Sequence, residues 1–401
     1  METIESTVCI VGGGPAGLVL GLLLARQGVP VTVLEKHADF LRDFRGDTVH
    51  PSTLTLLDEL GLGSAVAQLP GARKVRELAV TFDDGTYRVV DFGRLSGAHP
   101  YLVFVPQWDL LDLLANEAVR HPSFRLIRST AVSSVVRDDD GRVGGVIADG
   151  PDGEVRVSAR LTVGCDGRSS AVRTAIGLHP VDLGAPMDVV WFRLSRRPDD
   201  TEGLEMRVSG GGLILCIDRG DYYQCAYVIA KGGFEALRSR GLPALRTSVA
   251  RRAPNLRDRV DELSTWDDVA LLTVQVNRVR EWHVPGALLI GDAAHAMSPI
   301  GGVGINLAVQ DAVATARILG PRLANGSFTD RDLAAVPRRR LFPTRVTQGV
   351  QLMAQRRLLG PLLRATGPVN APGLLRLVDR VPALRGLPAR LIGLGVRPEH
   401  M

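Results

Sequence analysis

The sequence predicts an α/β fold in which a doubly wound parallel sheet is interrupted by a β-rich insertion and followed by a helical tail. Three observations carry this. Residues 7–35 read strand, glycine turn, helix, strand; residues 181–285 change to alternating, strand-like text; and residues 331–401 are amphipathic, Arg-rich and helical, punctuated by Pro and Gly.

Thr7–Val11 is an apolar, β-branched run, and Gly12-Gly13-Gly14-Pro15 is the turn after it. Ala16–Arg26 is an apolar helix stopped by Gly28 and Pro30, and Val31–Glu35 is a second buried strand. Pro51 opens a helix over Ser52–Leu60 that ends at Gly61. Val75–Phe82 and Tyr87–Phe92 form a hairpin around Asp83-Asp84-Gly85, and Trp108–Arg120 is an amphipathic helix. Leu126–Val136 and Val143–Ala148 flank the turn Asp138–Gly141, and Val155–Cys165 closes at Asp166-Gly167. In the insertion, Asp188–Leu194, Leu213–Asp218 and Tyr222–Ile229 are strands, Phe234–Ala253 is helical and Leu271–Val279 is a strand. Ala287–Ile290 returns to a buried parallel strand, and a loop leads to the helix Ile305–Leu319. The division expected is 1–70, 101–180 and 286–330 for the parallel-sheet domain, 71–100 and 181–285 for the β-rich substrate domain, and 331–401 for the tail.

A length of 401 residues accommodates this, at roughly 100–200 residues per domain. The net charge of +5 comes from arginine, since Lys36, Lys74 and Lys231 are the only lysines, and no run of six basic residues occurs. No nucleic-acid partner is expected. Cys9, Cys165, Cys216 and Cys225 form no C-x-x-C pair and sit in apolar runs, which suits a reducing cytoplasm. The acidic N-terminus lacks a signal-peptide pattern, and Ile10–Ala25 is too short and too Gly/Pro-broken to span a membrane.

Gly12-x-Gly14-x-x-Gly17 sits between a strand and a helix, the setting in which such glycines admit a pyrophosphate. The helix N-terminus, at Pro15 and Ala16, then offers free N–H groups and positive potential. Glu35 ends the second strand, 18 residues beyond Gly17, where an acid accepts from an adenosine ribose; Lys36 follows it. This motif alone does not separate FAD from NAD. The second motif is Cys165-Asp166-Gly167-Arg168-Ser169-Ser170-Ala171-Val172-Arg173, and the third runs from Gly291-Asp292-Ala293-Ala294-His295 into Pro299-Ile300-Gly301-Gly302-Val303-Gly304-Ile305-Asn306.

In that order, the three motifs resemble those of the group A flavoprotein monooxygenases, the p-hydroxybenzoate hydroxylase superfamily, over about residues 5–320. The resemblance implies a Rossmann-like FAD-binding domain with the βαβ opening of glutathione reductase. It implies that Asp292 meets the ribityl and pyrophosphate region of FAD, and that Pro299, Gly302, Gly304, Ile305 and Asn306 run beside the isoalloxazine. A helix N-terminus there stabilises the charge of reduced flavin. It also assigns Arg45, Gln107 and the backbone near Ala131 to FAD contacts. It links Asp166, with Arg173, to the place where NADH or NADPH acts as co-substrate. His295 reads as a hydrogen-bonded structural histidine, and His50 precedes Pro51 in the loop after Arg45, where contact with the flavin is the minor reading. Larger members carry a thioredoxin-like C-terminal domain, for which the segment after 330 is too short.

The implied reaction is NAD(P)H- and O2-dependent hydroxylation of an aromatic or polycyclic small molecule through a flavin C4a-hydroperoxide. It needs no metal, and no ligand cluster is visible. A related FAD-dependent reductase or dehydrogenase, for example on a prenyl double bond, and a non-catalytic flavin-binding protein stay open as alternatives. On the strand Tyr222–Ile229, either the face of Tyr222 and Gln224 or that of Tyr223, Cys225 and Tyr227 is available to line a substrate pocket. No catalytic base and no oligomeric state are legible.

Overall fold

The computed structural model describes residues 2–41 and 48–401. Five parallel strands form the spine of the larger sheet, in the order Phe124–Ile127, Val31–Leu34, Glu2–Val11, Gly153–Gly164, Ala287–Leu289. Val8, Ile10, Val33, Leu161 and Val163 are fully buried, because helices cover both faces of such a sheet and each strand reads as an apolar run. The helix Pro15–Arg26 packs against the long helix Val303–Ala324. Val143–Gly150 and Ala131–Arg137 branch antiparallel from the first half of Gly153–Gly164.

From Glu2–Val11 the chain passes to Val31–Leu34 on one side and later places Gly153–Gly164 on the other. The switch point lies beyond the carboxyl ends of Glu2–Val11 and Gly153–Gly164, where ligands of doubly wound sheets bind.

The second sheet has seven strands, in the order Ala270–Leu272, Met187–Ser195, Tyr222–Ala230, Gly212–Asp218, Leu204–Ser209, Glu77–Phe82, Gly85–Asp91. One face carries Val190, Phe192, Ile214, Cys216, Tyr223, Cys225 and Tyr227 and is covered by Leu242–Arg252 and the 3-10 turns after it. The opposite face, with Trp191, Leu213, Leu215, Ala226 and Val228, looks toward Ile300 and the C-terminal helices. A mixed α/β architecture with a parallel sheet and a helical C-terminal region is therefore present as expected.

Several elements depart in detail from the sequence reading. Leu126–Val136 is two strands, Phe124–Ile127 and Ala131–Arg137, on different parts of the sheet, because the chain turns at Ser129 with φ +54°. Leu271–Val279 divides into Ala270–Leu272 and Asn277–Val279, which pair in different sheets. Phe234–Ala253 breaks at Gly241, whose φ of +80° no helix accommodates. Leu204–Ser209, absent from the sequence reading, is a full strand; its polar residues satisfy a half-buried surface without clear alternation. The flavin-loop helix starts two residues earlier, at Val303.

The C-terminal region contains Ala335–Ala354, a π-helical turn Gln355–Leu359, Gly360–Arg364, Gly373–Arg380 and Gly386–Gly393. Among the described residues no helix is long and apolar enough to cross a membrane, and no group of three or more His, Cys, Asp or Glu is placed to hold a metal. The four cysteines are free.

Candidate active site

Strand register alone brings the three motifs together. Val11 lies opposite Gly164, and Gly164 lies opposite Leu289, so Gly12, Cys165-Asp166 and Gly291-Asp292 leave the sheet side by side. Cys165 N–H donates to Val11 O at 2.7 Å, and Ile290 N–H to Gly164 O at 3.1 Å. Gly12 has φ +105°, and a Cβ there would lie 2.5 Å from Cys165 O. A Cβ on Gly17 would overlap the Gly12 carbonyl oxygen, whereas one on Gly14 would meet nothing within 4 Å. The turn is packed tight on its protein side and open on its outer side. Gly14 caps the helix Pro15–Arg26 without a side chain, so the first N–H groups face that opening. This is the cradle that a pyrophosphate requires, and the residues fit FAD there.

Glu35 follows the second strand; its Oε2 accepts Gly13 N–H at 2.9 Å and its Oε1 accepts His37 N–H at 3.1 Å. Thr130 N–H donates to Glu35 O at 2.9 Å, which sets Ala131 beside the same corner. Lys36 is exposed and makes no side-chain hydrogen bond or ion pair among the described residues. Gln107 opens the helix Gln107–Ala118, half-buried and with no side-chain hydrogen bond among the described residues; that helix packs on Pro15–Arg26. Arg45 lies outside the described residues.

Asp166 is turned inward. Its carboxylate accepts from Ser170 Oγ at 2.6 Å and from Val172 N–H at 3.1 Å, capping the short helix Ala171–Ala175. Burial pushes its carboxyl up, against those hydrogen bonds. Arg173 donates to Ala293 O at 2.9 Å and to Arg168 O at 2.6 Å, tying the second motif to the third. Burial also raises the Cys165 thiol, which therefore stays protonated and poorly nucleophilic. Asp292 is one-third exposed and faces Arg168 Nε at 3.3 Å.

The loop after Asp292 is gripped from several sides. Gly301 and Gly302 have φ of +77° and +63°, and a Cβ on Gly302 would lie 2.9 Å from Thr48 Oγ1, so glycine is required there. Pro299 precedes this bend, and Gly304 and Ile305 form the uncapped first turn of Val303–Ala324. Asn306 Oδ1 accepts from Ser52 Oγ at 2.9 Å and Thr53 Oγ1 at 2.6 Å, which fixes the helix to the segment after His50. His50 places Nε2 3.0 Å from Gly302 O and Nδ1 2.8 Å from Ile392 O. Burial pushes its imidazole down, opposed by those two carbonyls, so the ring serves as a bridge between loop and C-terminal helix.

Sequence reasoning missed the strongest support. Gln348, Gln351 and Gln355 follow helical spacing on one face and are buried. Gln348 Nε2 donates to Ala296 O at 3.1 Å, Gln351 Nε2 to Ser298 O at 3.0 Å and Ile300 O at 2.8 Å, and Gln355 Nε2 to Ser298 Oγ at 2.6 Å. Three glutamines at i, i+3 and i+7 were the available signal. His295 is structural, as read: its Nε2 donates to Asp311 Oδ2 at 2.6 Å, and Asp311 also accepts Gly291 N–H at 3.1 Å and Arg340 Nε at 2.9 Å.

Between this loop and the second sheet lies an apolar wall. Trp191, Leu213, Leu215, Ile300, Leu352 and Leu363 are half-buried and meet around it. The face of Tyr223, Cys225 and Tyr227 is ruled out as a pocket lining, since helices cover it.

Residues 5–350 match the family described as FAD binding domain. The chain belongs to this family. It is an FAD-dependent monooxygenase, an activity that several of its relatives carry in their names. It is 36% identical over 403 residues to the 6-methylpretetramide 4-monooxygenase of Streptomyces rimosus, covering 96% of this chain and 92% of that protein. It is 28% identical to the protoasukamycin 4-monooxygenase of Streptomyces nodosus subsp. asukaensis, covering 81% and 82%. Among solved structures, the OxyS anhydrotetracycline hydroxylase of Streptomyces rimosus superposes with a TM-score of 0.71 at 26% identity, covering 99% of this chain and 77% of that one. The monooxygenase assignment removes the reductase and the non-catalytic flavin protein as leading readings.

Proposed function

We propose that this monooxygenase hydroxylates a polycyclic aromatic small molecule, using NADH or NADPH and dioxygen. The observation that carries the reading is the meeting of the three strand-end motifs with the half-buried apolar wall across the glycine loop. The names of relatives that act on tetracycline precursors support a fused-ring substrate.

Gly12, Gly14, Pro15, Ala16 and Gly17 would hold the pyrophosphate, Glu35, Lys36, Arg45 and Ala131 the adenosine side, and Gln107 and Asp292 the central part. Pro299, Gly302, Gly304, Ile305 and Asn306 would lie along the ring, with Asp166 organising the segment behind it. When bound, FAD takes a hydride from the nicotinamide and delivers one atom of dioxygen to the substrate. The chain's own share is placement and exclusion of water. The N–H groups of Val303–Ala324 point positive potential at the loop. The wall offers contact to flat rings through Trp191 and the leucines. The strand positions sharing that face, such as Leu204, Met206, Ala226 and Gln224, hold no carboxylate or imidazole. The sheet therefore orients a substrate without deprotonating it.

Oxygen-18 gas is the direct test: with fused-ring phenolic compounds that accelerate NAD(P)H consumption, one labelled oxygen atom is expected in the product. Consumption with no label in any product would end the reading. Asp292→Ala is expected to lower FAD retention and turnover together, by about 1–3 kcal/mol in FAD affinity. Flavin content per chain after gel filtration measures it, and an unchanged content removes Asp292 from the site.

A further inference from the structure

The reductant needs a place to dock, and the strand-end arginines do not supply it. Arg173 spends its guanidinium on two carbonyls, and Arg168 faces Asp292. A different set of arginines has no carboxylate partner among the described residues. Val181, Arg278, Val279, Arg280 and Arg345 line an open surface concavity of about 340 Å³. Arg280 and Arg345 are exposed, and none of the three arginines forms an ion pair with a carboxylate among the described residues. Asp182, beside Val181, accepts its own neighbour Gly184 N–H, and Glu281 follows Arg280. Burial and the charge of Arg345 both push the Arg278 guanidinium down, the mark of like charges crowded without a counter-ion.

The concavity is also wired to the flavin loop. Asn277–Val279 pairs with Pro180–Asp182 on one edge. On the other, Asn277 N–H donates to Ala296 O at 3.2 Å and Val279 N–H to Ala294 O at 2.9 Å. Arg278 Nη1 donates to Gln348 Oε1 at 2.6 Å, and Gln348 holds Ala296 O. The arginines thus stand on the strand next to the third motif. Guanidinium groups recognise phosphate through charge-assisted, often bidentate hydrogen bonds. Clefts for whole small ligands span roughly 300–1,000 Å³, so this volume suits the phosphate-bearing part of a dinucleotide with the nicotinamide reaching onward.

We propose that Arg280 and Arg345, with Arg278 behind them, form the docking site for the phosphate groups of NADH or NADPH. This rests on the reading that a nicotinamide dinucleotide is the electron donor. The phosphates are either the pyrophosphate shared by both donors or the 2′-phosphate of NADPH alone.

The test uses the FAD-loaded enzyme without oxygen, following loss of the oxidised flavin absorption band against NADH or NADPH concentration. In Arg280→Ser and Arg345→Ser the apparent Kd for the reductant should rise about tenfold each, with the limiting rate and the FAD content unchanged. A rise for both donors assigns the pyrophosphate, and a rise for NADPH alone assigns the 2′-phosphate. Inorganic pyrophosphate should compete with the reductant in the wild type and lose that effect in the double variant. An unchanged Kd for both donors in the double variant overturns the site, even if pyrophosphate binds. A wild-type flavin that neither donor reduces overturns the electron-donor reading instead, and the site with it.

Discussion

Asp311→Ala is expected to destabilise the fold by about 3–5 kcal/mol, the usual result of removing one partner from a buried charge pair. The side chain is fully buried and accepts from His295 Nε2, Arg340 Nε and Gly291 N–H. Without it three buried donors, the His295 ring, the Arg340 guanidinium and the Gly291 N–H, lose this acceptor. Glu399, also fully buried, still faces Arg340 at 3.4 Å, Arg339 at 2.6 Å and Arg317 at 2.7 Å, so the network is damaged rather than emptied. Burial alone would raise the Asp311 carboxyl; His295 and Arg340 outweigh it and hold the carboxyl below the ordinary carboxylate range. The sign for pH follows. A depressed folded value means that this stabilisation is complete above the unfolded value, near about 3.9, and fades as the pH falls through the folded value. Calorimetric melting should show a large deficit for the variant at neutral pH and a smaller one in strong acid. Equal melting temperatures at neutral pH would refute this role.

Gly12→Ala should abolish flavin retention and much of the soluble yield. Its φ of +105° is strained for any L side chain, at about 1–3 kcal/mol, and the new Cβ would press on Cys165 O at 2.5 Å. The carbonyl cannot yield freely, since Cys165 N–H is bonded to Val11 O in the same ladder. Gly14→Ala separates binding from folding. Gly14 has φ −78°, and nothing lies within 4 Å of its Cβ position, so the variant should melt like the wild type yet hold less FAD. Flavin absorbance per chain and melting temperature, read on both variants, decide the matter. Normal FAD content in Gly14→Ala would place the pyrophosphate elsewhere.

The glycine turn, the Asp-Gly strand end and the Gly-Asp loop were legible because each is local: a few adjacent residues carry both the motif and the strand that presents it. Register then did the assembly, through Val11, Gly164 and Leu289. Glu35 was equally accessible as the end of a recognisable strand, whereas Ala131 came only from the family resemblance, since the sequence reading ran one strand through it. What stayed hidden depends on distant partners. Gln348, Gln351 and Gln355 look like ordinary polar helix residues until the loop at 296–300 is laid against them. His50 was placed only by its neighbours Arg45 and Pro51, and its bridge from Gly302 to Ile392 links positions far apart in the chain. Arg173 was read only as the companion of Asp166, and packing shows its guanidinium used on two carbonyls. The break at Ser129 was missed because strand-like residues stand on both sides of it, and the one between Leu272 and Asn277 because β-branched residues continue while the backbone passes from one sheet to another.

The support of the flavin loop has a consequence in time. The loop at 296–302 is fastened by residues at 348–355 and 392, all synthesised after it. A ribosome adds roughly 5–20 residues per second, so the nascent chain exposes a finished glycine turn well before the loop can settle. The residues proposed for the adenosine side all precede that loop in the chain, whereas those proposed for the ring side wait for the later helices that hold it. Capture of FAD should therefore tighten only once residues 348–392 have folded back onto the loop.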